Sequence, residues 1–144
     1  MGLDVGDARI GLALSDPLGI LARPFQIITR NNGPEDYQTI IDIIAGNDVT
    51  RLVVGLPVNM DGTMGIQVEK VREFVKELRR YTNLPIEFKD ERLSTVLAKH
   101  IVQNVRKTNK NTRYDAAAAA LILQAYLDDA LPPREINEEG PETE

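Results

Sequence analysis

Three acidic residues stand at the edges of apolar segments: Asp4 in Met-Gly-Leu-Asp-Val-Gly, Glu91 in Phe-Lys-Asp-Glu-Arg-Leu-Ser-Thr, and Asp115 directly ahead of the alanine run Ala116 to Ala120. An ionised carboxylate carried toward low dielectric without a partner is costly, so it shifts its pKa or is excluded. Three such acids in one chain point to a compensating cation, and a hard divalent metal held by carboxylate oxygens is the simplest one. Each acid also has a plainer reading. Asp115 suits the first turn of a helix, where the dipole favours an acid. Asp4 suits a turn ahead of Gly6, and Glu91 suits a surface ion pair with Lys89 or Arg92. Jointly the three weigh more than separately.

Other chemistries lack their residues. The 144-residue chain has no cysteine, which removes disulfides, thiolate nucleophiles and Cys-ligated metal, and is compatible with a reducing cytoplasm. His100 is the only histidine, and no Gly-x-Ser-x-Gly elbow accompanies it, so it is expected to be a helix residue and not a catalytic base. No apolar run approaches the roughly 18 residues of a membrane span, and no secretory signal precedes the first strand. The chain reads as soluble and cytoplasmic. Its first strand begins almost at Met1, so a few leading residues are expected to be missing.

The net charge of −5 is unevenly spread. From Leu131 to Glu144, five acids against Arg134 leave −4, so the preceding 130 residues carry only −1. Between Arg92 and Tyr114 there is no acid, while Arg92, Lys99, Arg106, Lys107, Lys110 and Arg113 are basic. That local positive stretch, lying in sequence between Glu91 and Asp115, suits a phosphate-binding rim. A solvated helix face and loop would have the same composition.

The elements that must position these residues form one α/β unit of about one domain's length. Strands are expected at Met1–Val5, Arg9–Ser15 and Gln26–Thr29, the last following breaks at Pro17 and Pro24. Tyr37, Ile40, Ile41 and Ile44 share one face of a helix over Glu35–Ala45. Arg51–Gly55 reads as a buried strand, Ile66–Tyr81 as an amphipathic helix, and Pro85–Asp90 as a fifth strand. Ser94 suits the N-cap of a helix through about Asn104, and a last helix runs from Tyr114 to Ala130. Strand, helix, strand from Arg51 to Asp90 implies a right-handed parallel crossover. The short links of the first three strands imply an antiparallel meander. With the first strand parallel to the Arg51 strand, Asp4, the Gly55-Leu56-Pro57 turn and Glu91 reach the same end of a mixed sheet, at the switch point where open α/β sheets bind ligands.

Four blocks, in order, carry a family resemblance: Asp4-Val-Gly-Asp-Ala-Arg-Ile-Gly-Leu-Ala-Leu-Ser-Asp16, Val54-Gly-Leu-Pro-Val-Asn-Met-Asp-Gly-Thr63, Asp90-Glu-Arg-Leu-Ser-Thr95, and Asp115 with its alanines and Leu-Ile-Leu-Gln. Together they resemble the YqgF (RuvX) family up to about Leu127. The resemblance implies a ribonuclease H-like fold with a five-stranded mixed sheet of order 3-2-1-4-5 flanked by helices. It implies a nuclease domain over residues 1–131, followed by an acidic tail, 132–144, expected to be disordered. It also implies a metal-dependent phosphodiester hydrolase assigned to maturing the 5′ end of pre-16S ribosomal RNA. An older family label is Holliday-junction resolvase.

By that resemblance Asp4, Glu91 and Asp115 are the catalytic, metal-binding acids, holding two Mg²⁺ or Mn²⁺ ions, with Asp7 and Asp90 as lesser helpers. The implied partners are pre-rRNA or branched DNA, and pre-ribosomal particles. Paired metals suit the reaction because charge must be neutralised at both the entering and leaving oxygens of a phosphodiester that is already anionic. Arg9 is expected either to touch phosphate or to buttress the first hairpin. Asn59 and Thr63 either contact the sugar-phosphate backbone or close a turn around Asp61-Gly62. Arg92, Lys107, Lys110 and Arg113 are expected to track the strand. The Asp4-Val-Gly signature is also similar to the phosphate loop of actin-like ATPases, but these need a second domain, and no Walker Gly-Lys-Ser/Thr is present. A non-catalytic RNA-binding module for ribosome assembly is the other alternative; retention of all three acids weighs against it.

Overall fold

A computed structural model describes residues 1–59, 61–91 and 112–130, with the backbone alone for 112–115. Strands β1 (Gly2–Val5), β2 (Arg9–Ser15) and β3 (Ala22–Thr29) form the meander; helix α1 (Pro34–Gly46) leads to β4 (Leu52–Leu56), and α2 (Ile66–Leu78) to β5 (Ile86–Asp90). The final helix, α3, spans Thr112–Ala130. The sheet order is β3-β2-β1-β4-β5. β1 and β2 pair antiparallel with Asp4 opposite Gly11, whereas β1 and β4 run parallel with Leu3 beside Val54. The expected mixed sheet is therefore the observed one.

Side-chain parity divides the sheet into two faces, because successive strand residues point to opposite sides. Leu3, Val5, Ile10, Leu12, Val54 and Leu56 face one way and pack with Ile40 of α1 and with Val68, Val71, Phe74, Val75 and Leu78 of α2. The opposite face carries Ala13 and Val53, which pack on Ala119, Ile122 and Leu123 of α3. Residues of that parity are small where the helix comes closest. A Cβ on Gly2 would lie 2.8 Å from the Ala119 carbonyl oxygen and 2.8 Å from Leu123 Cβ. The alanine run lets the helix backbone approach the strand, and Gly2 leaves room for it.

Helix α3 has a defined direction across this face. Gln124 accepts a hydrogen bond from the Ala22 amide at 2.8 Å and donates to the Ile20 carbonyl at 2.9 Å, while Tyr126 donates to Glu87 at 3.0 Å. Leu123, Tyr126, Leu127 and Ala130 border a cavity shared with Met1, Arg51 and Ser15, at the end of the sheet where β1 and β4 begin. The helix thus ends where those strands start, and its first turn lies over their carboxyl ends.

Strand β3 differs from expectation: it begins at Ala22 and not at Gln26. Arg23 and Pro24 pair with Leu14 and Ala13 across a register shift between Leu12 and Ala13. Proline breaks a central strand, but on a sheet edge its missing N–H can face solvent, and β3 is an edge. The expected helix from Ser94 and the tail 132–144 lie outside the described residues. Among the described residues no helix is long and apolar enough to cross a membrane.

Candidate active site

Asp4 and Glu91 lie at the same end of the sheet. Along β1, Leu3 and Val5 enter the α1/α2 core, so Gly2 and Asp4 belong to the face under α3, and Asp4 is half-buried there. The parallel register that sets Leu3 beside Val54 sets Asp4 beside Gly55 one residue further on. Glu91 follows the last residue of β5, whose Lys89 pairs with Gly55 and Asp90 with Leu56. Its carboxylate folds over Gly55: a Cβ built there would lie 2.7 Å from Glu91 Oε2 and 2.4 Å from Ile122 Cδ1. The bare backbone of Gly55 is the seat of the glutamate, one strand spacing, about 4.8 Å, from β1 and Asp4.

Asp115 arrives from α3. Ala119 packs over Gly2. Asp115 lies one turn earlier, about 6 Å along the helix axis, and Asp4 lies two residues, about 6.6 Å, further along β1. Because the helix runs against β1, these offsets bring the Asp115 backbone to the level of Asp4. Helix, strand and post-strand segment, remote in sequence, therefore bring the backbones of positions 4, 91 and 115 to one edge.

Burial pushes the Glu91 carboxyl above its ordinary value of 4.5, and the neighbouring Asp90 charge raises it further. Among the described residues no basic group offsets those effects. Nor do three acids or histidines converge into a metal-binding group among the described residues. A half-buried carboxylate whose ionised form is disfavoured by burial and by a neighbouring acid fits a site that a divalent cation would complete.

The remaining expected contacts divide. Arg9 is exposed and has the parity of Gly11 and Ala13, so it borders the Asp4 corner on the α3 face; the Gly6 amide donates to its carbonyl at 2.9 Å. Asn59 and Thr63 close a turn. Asn59 Nδ2 donates to Thr63 Oγ1 at 2.9 Å, and Thr63 donates through its amide and hydroxyl to Asp61 Oδ1 at 2.9 and 2.7 Å. Both side chains remain exposed, immediately past β4. Asp7 is exposed and 3.4 Å from Lys70 of α2, away from Glu91. Arg92, Lys107 and Lys110 lie outside the described residues; Arg113 is placed in the first turn of α3 by its backbone. Sequence reasoning missed the role of Gly55, although a glycine inside a buried strand signals a close approach.

A meander continued by two parallel strands in the order β3-β2-β1-β4-β5, with the last helix across one face, is the architecture of the ribonuclease H-like fold. Solved structures agree on the fold. Thermus thermophilus RuvC in complex with a Holliday junction substrate superposes with a TM-score of 0.56 at 13% identity, covering 89% of this chain and 92% of that one. A fowlpox virus resolvase with Holliday junction DNA gives 0.53 at 10% identity, covering 91% and 97%. The chain belongs to the RuvX family, described as Holliday junction resolvase, whose profile matches residues 1–129. Curated relatives from Desulforamulus reducens and Dehalococcoides mccartyi, both named "Putative pre-16S rRNA nuclease", are 47% and 46% identical over 130 and 129 residues. They cover 89% and 90% of this chain and 95% and 97% of their own.

Proposed function

We propose that this protein is a divalent-metal-dependent endonuclease that hydrolyses the RNA backbone at the 5′ end of pre-16S rRNA. The observation that carries the reading is the Glu91 carboxylate seated on Gly55, one strand from Asp4. The names of the curated relatives support RNA as the substrate, and membership of the RuvX family supports phosphodiester chemistry.

Asp4, Glu91 and Asp115 would hold Mg²⁺ or Mn²⁺. When bound, the metal supplies positive charge at the scissile phosphate and lowers the pKa of water for attack. Asp4 fixes one side of the site from the rigid centre of the sheet. Glu91, half-buried over the bare backbone of Gly55, presents its carboxylate from the end of β5. Arg9, exposed at the same corner, contacts a phosphate next to the cut, and Asn59 and Thr63 present their turn to the sugar-phosphate backbone. Arg92, Lys107, Lys110 and Arg113 add phosphate contacts that position the strand without reading its sequence.

The test is incubation of the purified chain with pre-16S leader RNA and with four-way DNA, in Mg²⁺ or Mn²⁺. RNA cut to leave a 5′-phosphate and 3′-hydroxyl supports the proposal. Cutting of the DNA junction alone moves the substrate to branched DNA, and tight RNA binding without cleavage points to a non-catalytic assembly role.

A further inference from the structure

The turn between β1 and β2, which follows Asp4 by two residues, is held from behind by an ion pair between half-buried Arg30 and buried Asp36. Arg30 Nη1 donates to the Gly6 carbonyl at 2.8 Å, and the Arg30 amide donates to the Ala8 carbonyl at 2.8 Å. The same guanidinium donates through Nε to Asp36 Oδ2 at 3.3 Å. Asp36 is the buried charged residue among the described side chains, 2% exposed. Its carboxylate also accepts the Asn31 amide at 2.8 Å and the Asn32 amide at 3.0 Å, which fastens the link into α1, where Asn32 takes a positive φ of 59°. Below, the guanidinium lies 5.1 Å from the centre of the Phe74 ring on α2, and Phe74 stacks on Tyr37 of α1 at 4.9 Å.

We propose that Arg30 is a positioning residue for the nucleolytic site: its guanidinium couples the Gly6 carbonyl to α1 and α2 and thereby sets the placement of Asp4 opposite Glu91. The inference rests on the metal-dependent reading above. Asp4 stands on a strand of only four residues, Gly2–Val5, so the turn at Gly6 lies next to the end of its backbone support. Two features make the coupling directional. Guanidinium is a planar fork that can donate to a carbonyl and a carboxylate together, whereas an ammonium is a point donor. Asp36 is itself locked by two backbone amides, so the fork is anchored to the helix layer and not to a mobile side chain. A purely structural Arg30 would support the fold without affecting the acids' affinity for metal.

Arg30→Lys separates these roles, because it keeps the charge beside Asp36 and over Phe74 but loses the fork. Three measurements are made on the full chain: thermal unfolding, hydrogen exchange at the amides of residues 6–9, and Mn²⁺ binding followed by electron paramagnetic resonance. The variant is expected to retain a cooperative melt while turn amides exchange about tenfold faster and Mn²⁺ binds about tenfold more weakly. KM for leader RNA stays near wild type. Unchanged turn exchange overturns the proposal, and so does a loosened turn with unchanged Mn²⁺ affinity. Should Arg30→Lys fail to fold, Asp36→Asn takes the same measurements, since it keeps an oxygen acceptor for one of the two loop amides while removing the anion that anchors the fork. A wild-type chain that binds no Mn²⁺ contradicts the metal reading and this proposal with it. Wild type that binds Mn²⁺ yet cuts nothing contradicts the nuclease reading alone, and the clamp is then judged by exchange and affinity.

Discussion

Glu91 occupies the volume that a side chain at position 55 would need, its Oε2 lying 2.7 Å from an ideal Cβ on Gly55. The neighbouring obstruction, Ile122 Cδ1 at 2.4 Å, is likewise the end of a flexible side chain. Gly55→Ala should therefore fold, with Glu91 and Ile122 displaced and a cost of about 1–3 kcal/mol from overpacking. If Glu91 holds the metal as proposed, its displacement by about 1 Å lowers turnover on the order of a hundredfold. Urea unfolding and single-turnover cleavage measure the two effects separately, and full activity in Gly55→Ala would remove the proposed seat of Glu91.

Gly2 presents the opposite case, because the nearest atom to its absent Cβ is a backbone oxygen, that of Ala119 at 2.8 Å. Backbone cannot rotate away, so Gly2→Ala must lift α3 from the sheet. The loss should reach or exceed the upper end of about 1–3 kcal/mol, more than for Gly55→Ala, in urea titrations of both variants.

Glu91 makes stability and activity respond oppositely to pH. Its native pKa is raised above the ordinary 4.5 by burial and by Asp90. The native state then binds the proton more tightly than the unfolded chain, so without metal this group's contribution to stability falls as pH rises from 4.5 through the raised range, and is level above it. Cleavage needs the ionised form and rises over the same interval. Glu91→Gln should melt higher than wild type at neutral pH without metal, while losing more than about a hundredfold in cleavage. Melting and rate profiles on the two proteins check both signs.

Asp36 tests the packing of the helix layer. Replacing it by leucine strips a 2% exposed carboxylate from Arg30 and from the Asn31 and Asn32 amides. Breaking such a buried pair from one side costs about 3–5 kcal/mol. Denaturant midpoints of Asp36→Leu and of an exposed control, Asp42→Leu, give the comparison.

Much of this architecture was legible because periodicity and link length determine it. Alternation along Leu3–Val5 and Leu52–Leu56 separates the two faces, and the helix between β4 and β5 dictates parallel strands. These two facts bring Asp4, Gly55 and Glu91 to one edge before any coordinate is known. The early start of β3 was hidden because Pro24 signals a break everywhere except on an edge, and edge status belongs to the completed sheet. Asp36 was hidden for a related reason. An acid in the first turn of a helix ordinarily caps the dipole in solvent, and its burial depends on Arg30 arriving from β3. At Asn59 and Thr63 the turn that Asp61-Gly62 predicts is present, and the side chains that close it stay exposed.

The central claim is that Asp4 and Glu91, joined by Asp115, form one metal-dependent hydrolytic site. It is tested most directly by comparing wild type with Asp4→Asn on pre-16S leader RNA, with and without Mn²⁺, while RNA binding is measured in parallel. The account predicts cleavage by wild type only when the ion is present, and loss of cleavage with unchanged RNA affinity in Asp4→Asn. Equal cutting by the two proteins would contradict it.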